Sequence, residues 1–118
     1  MPSDVMTEAE LVVADFGTAW GNRDMDATLA LCADDCLFEA TGPAPDGVQH
    51  TGHAEIRSAW QAIFDDDNAR FEVEDSFAAG PNVVQRWLYT WADGHIRGVD
   101  LFLVRDGKVA EKRSYVKG

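Results

Sequence analysis

The amino-acid sequence predicts an α+β fold in which helices precede an antiparallel sheet. Three segments in the first half repeat apolar residues at helical spacing, whereas the second half alternates apolar and polar residues. Two Asp-Gly pairs, at 93–94 and 106–107, mark hairpin turns in the second half. Helices followed by strands in hairpin series are typical of α+β domains. We expect residues 1–118 to form one domain, because the sequence holds no repeat, linker or low-complexity run.

Composition and charge narrow the classes of partner. The chain has 118 residues, enough for a core of its own, and a net charge of −11 from 21 acidic and 10 basic residues. Nucleic acids and anionic membranes attract basic surfaces, so we expect neither as a partner. The sequence has no long apolar run of the kind that spans a membrane. Its start lacks the basic and apolar stretches of a secretory signal, so we expect a cytoplasmic protein.

Two helices are predicted at the start of the chain. Thr7 and Glu10 match a capping box at the beginning of the first helix, and Asn22 is typical of its end. The apolar positions of this helix are Val12, Val13, Phe16, Ala19 and Trp20. Asp24 is typical of a cap for the second helix, which we expect to end in the segment 33–35. One face of the second helix carries Met25, Thr28, Leu29 and Cys32.

A short strand, a loop and a third helix follow. In residues 36–41, alternation places Cys36, Phe38 and Ala40 on one side of a strand. The Pro- and Gly-rich segment 42–47 predicts a loop. A third helix is expected from about His53 to the acidic run that begins at residue 65. Its predicted buried stripe consists of Ile56, Trp60, Ile63 and Phe64.

Four strands in hairpin series are predicted for the rest of the chain. In the first of them, Phe71, Val73 and Phe77 alternate with polar residues, so the pattern favours a half-buried strand with these three inward. The turn at Pro81-Asn82 separates it from a meander of three further strands.

Asp100 lies in the middle of the apolar strand 98–104. An unpaired buried carboxylate is costly, so this side chain must be hydrogen-bonded, neutral or directed into a cavity. Apolar walls favour the neutral carboxyl group, which can donate a proton, and Asp100 is therefore the first candidate for acid–base chemistry. The alternatives are a solvent-exposed side chain or a structural ion pair, with Arg86, Lys112 or Arg113 as the partner.

The first hairpin register decides what lies beside Asp100 on one flank. A two-residue turn at Asp93-Gly94 places Trp87 opposite Asp100, whereas a three-residue loop places Arg86 there. Under the two-residue turn, one face of the hairpin carries Gln85, Trp87, Tyr89, Trp91, Gly98, Asp100 and Phe102.

The second hairpin decides the other flank. A three-residue loop around Asp106-Gly107 places Lys112 opposite Asp100 and turns Ser114 to the same face, whereas a two-residue loop places Arg113 there. We favour the first register, with Lys112 and Ser114 facing inward.

Several segments together carry a resemblance to a known group of proteins. They are Arg97 to Phe102, Arg105 to Val109, Tyr115, Ala33 to Asp35, and Thr51 to Arg57. The chain resembles, over nearly its whole length, the nuclear-transport-factor-2-like superfamily and its SnoaL-like polyketide cyclase and ketosteroid-isomerase-like branch. The resemblance implies a cystatin-like fold, in which a cone-shaped, curved antiparallel sheet and N-terminal helices enclose a pocket. It also implies a homodimer formed through the outer sheet face.

The resemblance implies two possible functions. In the cyclases, the aspartate at the position of Asp100 is the general acid/base that moves a proton as a ring closes. Two isomerase positions differ in this chain: the oxyanion-hole tyrosine falls at Phe16 and the base at Ala40. An aspartate of related epoxide hydrolases falls at Ser114. We therefore expect either isomerisation or cyclisation through Asp100 without a cofactor, or a non-catalytic binding or dimerisation module of the same fold.

The expected ligand is a hydrophobic small molecule in an aromatic pocket. The predicted binding residues are Phe16, Trp20, Phe38, Trp60, Trp87, Tyr89, Phe102, Lys112 and Ser114. His50 and His53 flank the loop at the predicted cavity mouth. No metal is predicted, because Cys32 and Cys36 have no further Cys or His nearby to complete a site.

Overall fold

The computed structural model describes residues 6–118, which form three helices and a six-stranded sheet. The elements in chain order are α1 (Glu8–Gly21), α2 (Met25–Ala30), β1 (Cys32–Glu39), β2 (Gln49–Thr51), α3 (His53–Asp65), β3 (Arg70–Ala79), β4 (Asn82–Trp91), β5 (Gly94–Arg105) and β6 (Lys108–Val116). The strands are ordered β2-β1-β6-β5-β4-β3 across the sheet. The α+β prediction is confirmed.

The sheet is mixed, and the expectation of a wholly antiparallel sheet is wrong at one pair. β1 and β6 run parallel, with Phe38 beside Lys112, while the other neighbouring strands are antiparallel. Parallel neighbours need a long crossover. Here α3 and four strands lie between β1 and β6 in the chain, so no local turn signal could show that pairing.

Helix α1 begins and ends where its sequence predicts. The Thr7 backbone N–H donates to Glu10 Oε1 at 3.0 Å, and the Glu10 N–H donates to Thr7 Oγ1 at 3.2 Å, which completes the capping box. Asn22 is the C-terminal cap. The buried face of α1 includes Phe16, which directs the helix onto the sheet.

Helix α2 is shorter than predicted. It ends at Ala30, and Cys32 is the first residue of β1 rather than part of a helical face. The reason is pairing with β6: the Val109 N–H donates to the Leu31 carbonyl at 2.8 Å, and Cys32 lies opposite Val109. These sheet contacts draw the segment 32–35 into a strand that its own sequence does not signal.

Strand β2 was absent from the sequence prediction. It has three residues and pairs with β1, so that His50 lies opposite Phe38. A segment this short has no periodicity to detect. The third helix matches its prediction, since Ile56, Trp60 and Phe64 form the buried face of α3.

Arg23 ties the α1–α2 connection to the end of α3. Its backbone has φ 56°, in the left-handed region, and its guanidinium donates to the carbonyls of Ile63, Phe64 and Ala69 at 3.3, 3.3 and 2.6 Å. The last carbonyls of a helix have no partner within the helix. Arg23 supplies one and thereby fixes α3 against α1.

Strand β3 exists as predicted, and Phe71 faces the cavity, but the other two residues predicted to face inward are exposed. Val73 is 42% exposed and Phe77 53% exposed. The register shifts between Val73 and Asp75, which leaves Glu74 as an extra residue. Beyond that bulge each side chain changes face, so Phe77 lies opposite Val84 on the outer side of the sheet.

The first hairpin turns one residue earlier than predicted. Trp91 pairs with Gly94, and the turn residues are Ala92 and Asp93. Trp87 therefore lies opposite Gly98, and neither Trp87 nor Arg86 lies opposite Asp100. A two-residue change of register leaves every side chain on its predicted face.

Packing of Trp87 explains that register. A Cβ atom at Gly98 would lie 2.3 Å from Trp87 Cζ2, so only a residue without a side chain fits opposite the indole ring. Asp100 then lies opposite Gln85, which is also buried.

The second hairpin has a two-residue turn, not the predicted three-residue loop. Asp106 and Gly107 have φ 55° and 74°, the signs that a type I′ turn requires, and Arg105 pairs with Lys108. A bulge at Ala110 then shifts the register by one residue, because Val104 pairs with Val109 while the preceding β5 residue pairs with Glu111.

Because of this bulge, Lys112 and Ser114 face inward although the turn is not the predicted one. Asp100 lies opposite Ser114, and Phe102 lies opposite Lys112. Both Lys112 and Ser114 are buried. The prediction that these two side chains face inward is confirmed.

Candidate functional site

A buried ion pair lies on the inner face of β5 and β6. Asp100 is 2% exposed and Lys112 is 6% exposed. Lys112 Nζ lies 3.3 Å from Asp100 Oδ2 and donates a hydrogen bond to Ser114 Oγ at 3.0 Å. The other carboxyl oxygen, Oδ1, is buried and has no hydrogen-bond partner within residues 6–118. A buried acceptor without a partner is unusual in a native protein and is free to accept a bond from a ligand.

Aromatic rings surround the ammonium group of Lys112. Its Nζ atom lies 4.9 Å from the ring centroid of Phe38, 5.1 Å from that of Trp20 and 6.0 Å from that of Phe102. A cation within about 6 Å of an aromatic face is attracted by the ring quadrupole. These rings partly replace the water that Lys112 loses on burial, while Asp100 balances its charge.

The Asp100–Lys112 pair borders a cavity of about 350 Å³. The lining residues are Trp20, Phe38, Ala40, Thr41, His50, Ala59, Ile63, Phe71, Trp87, Tyr89, Ile96, Asp100, Lys112 and Ser114. Most of these side chains are apolar, and of the polar ones Ser114 contacts the pair directly. A concave apolar site with a small number of placed polar groups is typical of small-molecule binding.

The structure brings seven of the predicted site residues to the cavity wall. They are Trp20, Phe38, Trp87, Tyr89, Asp100, Lys112 and Ser114. Phe16, Trp60 and Phe102 are instead buried in the packed core and do not line the cavity. Their rings pack against one another, with centroids 5.8 Å apart for Phe16 and Trp60 and 5.5 Å apart for Phe16 and Phe102.

Several lining residues were not predicted as part of the site. They are Ala40, Thr41, Ala59, Ile63, Phe71 and Ile96, whereas His50 also lines the cavity and was predicted for its mouth. Two of them carried a usable signal, since Ile63 and Phe71 lie on the predicted apolar faces of α3 and β3. Ala40 and Thr41 come just after β1 and have no side-chain chemistry that marks them.

The two histidines of the predicted cavity mouth have different positions. His50 lines the cavity and stacks on Phe38, with ring centroids 5.9 Å apart. His53 lies on α3 with its Nε2 atom 3.1 Å from the Cys32 carbonyl, outside the cavity lining. Only His50 is therefore placed to contact a ligand.

The arginines considered as partners of Asp100 are engaged elsewhere. Arg86 lies 3.5 Å from Asp75, and Arg113 lies 3.1 Å from Glu39. The choice among the three basic residues is settled by the structure, because Lys112 is the one that contacts Asp100.

Two hydrogen-bond donors also reach the cavity wall. Burial raises the pKa of Tyr89, so its phenol keeps its proton through the neutral range. The indole Nε1 of Trp87 is buried and has no acceptor within residues 6–118. The wall thus includes the phenol ring of Tyr89 and the indole ring of Trp87, while the buried Trp87 Nε1 and Asp100 Oδ1 atoms have no partner within residues 6–118.

The cysteines lie away from this chemistry. Cys32 and Cys36 are both buried and unbridged. A hydrogen bond with Cys36, together with burial, raises the pKa of Cys32, which keeps that thiol unreactive. Within the described part of the chain, no three His, Cys, Asp or Glu side chains group as metal ligands would.

None of the helices found in residues 6–118 has both the length and the apolar character needed to cross a membrane.

Comparison with solved structures identifies proteins of the same fold. An NTF2-like protein of unknown function from Mesorhizobium loti is 37% identical, with a TM-score of 0.87 over 100% of this chain and 98% of that chain. A candidate ketosteroid isomerase from Kribbella flavida is 21% identical, with a TM-score of 0.82 over 94% of this chain and 78% of that chain. A computationally designed 17-OHP binder is 21% identical, with a TM-score of 0.81 over 96% and 93% of the two chains.

Comparison of the sequence with protein families supports the same fold assignment. None of the curated proteins matches this chain. The family model of the SnoaL-like domain matches residues 13–112, which include α3, β4, β5 and both members of the Asp100–Lys112 pair. The chain belongs to the SnoaL-like family, within the NTF2-like fold.

Proposed function

We propose that this protein binds a ring-containing apolar molecule in the cavity and catalyses an isomerisation or cyclisation by moving a proton through Asp100. The observation that carries the proposal is the buried Asp100 Oδ1, an acceptor without a partner in residues 6–118 at the edge of an apolar cavity of about 350 Å³. A carboxyl group in such surroundings is suited to general acid–base catalysis. The named relatives of this fold include a candidate ketosteroid isomerase and a designed 17-OHP binder, whose ligands are of this class.

Each polar group in the cavity has a role in this mechanism. Asp100 Oδ1 takes a proton from an activated carbon and returns it to another. Lys112 holds Oδ2 in place and stabilises the carboxylate when the proton leaves. The phenol of Tyr89, or the indole N–H of Trp87, donates to a substrate oxygen as negative charge develops there. The aromatic walls exclude water, which strengthens each of these interactions.

Replacing Asp100 by asparagine tests the catalytic role. The amide side chain keeps the shape of the carboxyl group but cannot exchange a proton, so we expect turnover to fall by about 10²–10⁴-fold while ligand affinity changes little. Asp75→Asn is the matched control, because Asp75 pairs with Arg86 on the outer face. Affinity is measured by quenching of tryptophan fluorescence and turnover with a panel of β,γ-unsaturated ketones. Unchanged turnover in the Asp100→Asn variant contradicts the proposal.

A non-catalytic binding role is the second candidate, and two observations favour it. The Asp100–Lys112 ion pair is complete without a ligand, and Phe16 and Ala40 occupy the positions at which the related isomerases carry a tyrosine and a base. Under this reading, the wild-type protein binds apolar rings and turns none of them over. Binding without turnover across the same ketone panel supports this second role.

We also propose that a second copy of the chain covers the outer face of the sheet. Phe77, Val84 and Leu101 lie in one cross-strand row on that face, and Phe77 and Leu101 are exposed. A nearby exposed ring, Tyr115, extends the apolar surface along β6. Exposed apolar patches of this kind mark protein interfaces.

Leu101→Arg is expected to convert the dimer to a monomer, because a charge inside an interface would be buried without a partner. Light scattering after size exclusion measures the change in mass. Leu11→Arg on α1 is the matched control, since Leu11 is also accessible, at 52% exposure, but lies on a helix. A wild-type protein that is monomeric across micromolar concentrations rules out this assembly.

A further inference from the structure

We propose that Lys112 forms a reversible imine with an aldehyde or ketone that occupies the cavity. This inference rests on the proposed binding of apolar molecules in the cavity, and it adds a covalent step that acid–base chemistry at Asp100 does not include. The ligand class is correspondingly narrower: an apolar ring that carries a carbonyl group.

The position of Lys112 carries the inference. Its side chain is enclosed by aromatic rings, yet Lys112 lines a cavity large enough for a small ring molecule. Lysines that react with carbonyl groups lie in apolar pockets, and a carboxylate beside the amine can accept the proton that the ammonium group must lose. A purely structural ion pair has no need of open space beside its amine.

Asp100 provides the route for the protons. It lies 3.3 Å from Lys112 Nζ, and its second oxygen has no partner within residues 6–118. At this distance Oδ2 is placed to take a proton from the ammonium group and to return it later in the reaction.

The step balances without an outside reagent. The Lys112 ammonium gives one proton to Asp100, and the amine lone pair then forms a C–N bond to the carbonyl carbon while the carbonyl π electrons move to oxygen. Asp100 returns that proton to the oxygen, accepts a second proton from nitrogen, and delivers it as the C–O bond breaks. Water leaves with two of the three ammonium hydrogens. A protonated imine remains beside the Asp100 carboxylate, so the ion pair is restored with a new cation.

The three lysines of the chain permit a clean experiment. Lys108 donates to the Ala30 carbonyl at the surface and Lys117 is exposed, so both serve as internal controls for Lys112. Wild-type protein is mixed with naphthaldehyde and sodium cyanoborohydride, which reduces an imine to a stable secondary amine. Peptide mass mapping then locates the adduct, whose mass gain is that of the aldehyde less one oxygen. We expect Lys112 to be labelled about tenfold or more faster than Lys108 or Lys117.

A second measurement separates this inference from the proposed function. Methylnaphthalene has the same ring system without a carbonyl group, and its binding is followed by tryptophan fluorescence. Binding of methylnaphthalene with labelling confined to Lys108, Lys117 or the α-amino group overturns the imine and leaves the proposed function standing. Absence of binding by either compound overturns both.

Lys112→Arg completes the test. A guanidinium group keeps the positive charge beside Asp100 but does not form an imine under these conditions. We expect a folded variant that shows no adduct in the peptide containing residue 112. If the whole Lys112→Arg protein is labelled as fast as the wild type, the labelling occurs at residues other than Lys112. That result overturns the inference.

Discussion

Lys112→Met is expected to lower the free energy of unfolding by about 3–5 kcal/mol, because it leaves the Asp100 carboxylate buried without its charge partner. Adding Asp100→Leu to the same chain is expected to restore most of that loss. The double variant places two apolar side chains of similar volume where the ion pair was, and such replacements of buried pairs are often neutral or stabilising. Urea unfolding followed by tryptophan fluorescence measures both variants.

The contrast between the single and double variants is the informative quantity. An exposed ion pair contributes at most about 1 kcal/mol, so its removal would cost little in either variant. Lys108→Met supplies a surface comparison for the loss of a lysine, because Lys108 is exposed and donates to a backbone carbonyl. A Lys112→Met protein as stable as Lys108→Met would contradict the view that the pair is sequestered from water.

Gly98→Ala is expected to destabilise the protein by about 3 kcal/mol, at the upper end of the cost of overpacking. The added Cβ atom would lie 2.3 Å from Trp87 Cζ2 and 2.4 Å from the Tyr115 carbonyl oxygen. The indole ring can shift, but the carbonyl belongs to the paired strand β6 and cannot move without breaking the ladder. Since Trp87 lines the cavity, we also expect weaker binding of apolar rings.

Gly17→Ala is the matched control for this substitution. Gly17 lies inside α1, and a Cβ atom there would meet no atom within 4 Å. Alanine in a helix is favoured over glycine by about 0.5–1 kcal/mol, so this variant is expected to be more stable than wild type. Opposite signs for the two glycine substitutions in thermal unfolding support the close packing at Gly98. A Gly98→Ala protein of wild-type stability argues that Trp87 does not pack there.

Local sequence patterns were enough to predict α1 and α3, the helices that position the site. Thr7 and Glu10 mark the start of α1 by direct contact between neighbours in the chain, and the apolar stripe of α3 follows from helical geometry. Asp100 was also identifiable, since a lone carboxylate among bulky apolar residues signals an unusual environment.

Features that depend on contacts between distant segments could not be predicted from local sequence patterns. The end of α2 depends on a hydrogen bond from Val109 to Leu31, far apart in the chain. The first hairpin register depends on how Trp87 packs over Gly98, and the second on a bulge at Ala110 that no residue type announces. The division of the aromatic residues between cavity and core likewise depends on how α1 and α3 sit on the sheet, which leaves Phe16 and Trp60 behind the wall.

The bulge at Ala110 has a consequence for how relatives of this chain are compared. It absorbs one residue between the Asp106-Gly107 turn and the cavity, so distance along the chain from the turn does not indicate which side chains point inward. In a relative whose β6 has no bulge, the residue equivalent to Arg113 would lie opposite Asp100, even if all the neighbouring residues were identical. A sequence alignment counted from the turn would therefore match Lys112, which points inward here, with a residue that points outward in such a relative. Homologues are better aligned on the residue equivalent to Asp100, with a gap allowed at the bulge.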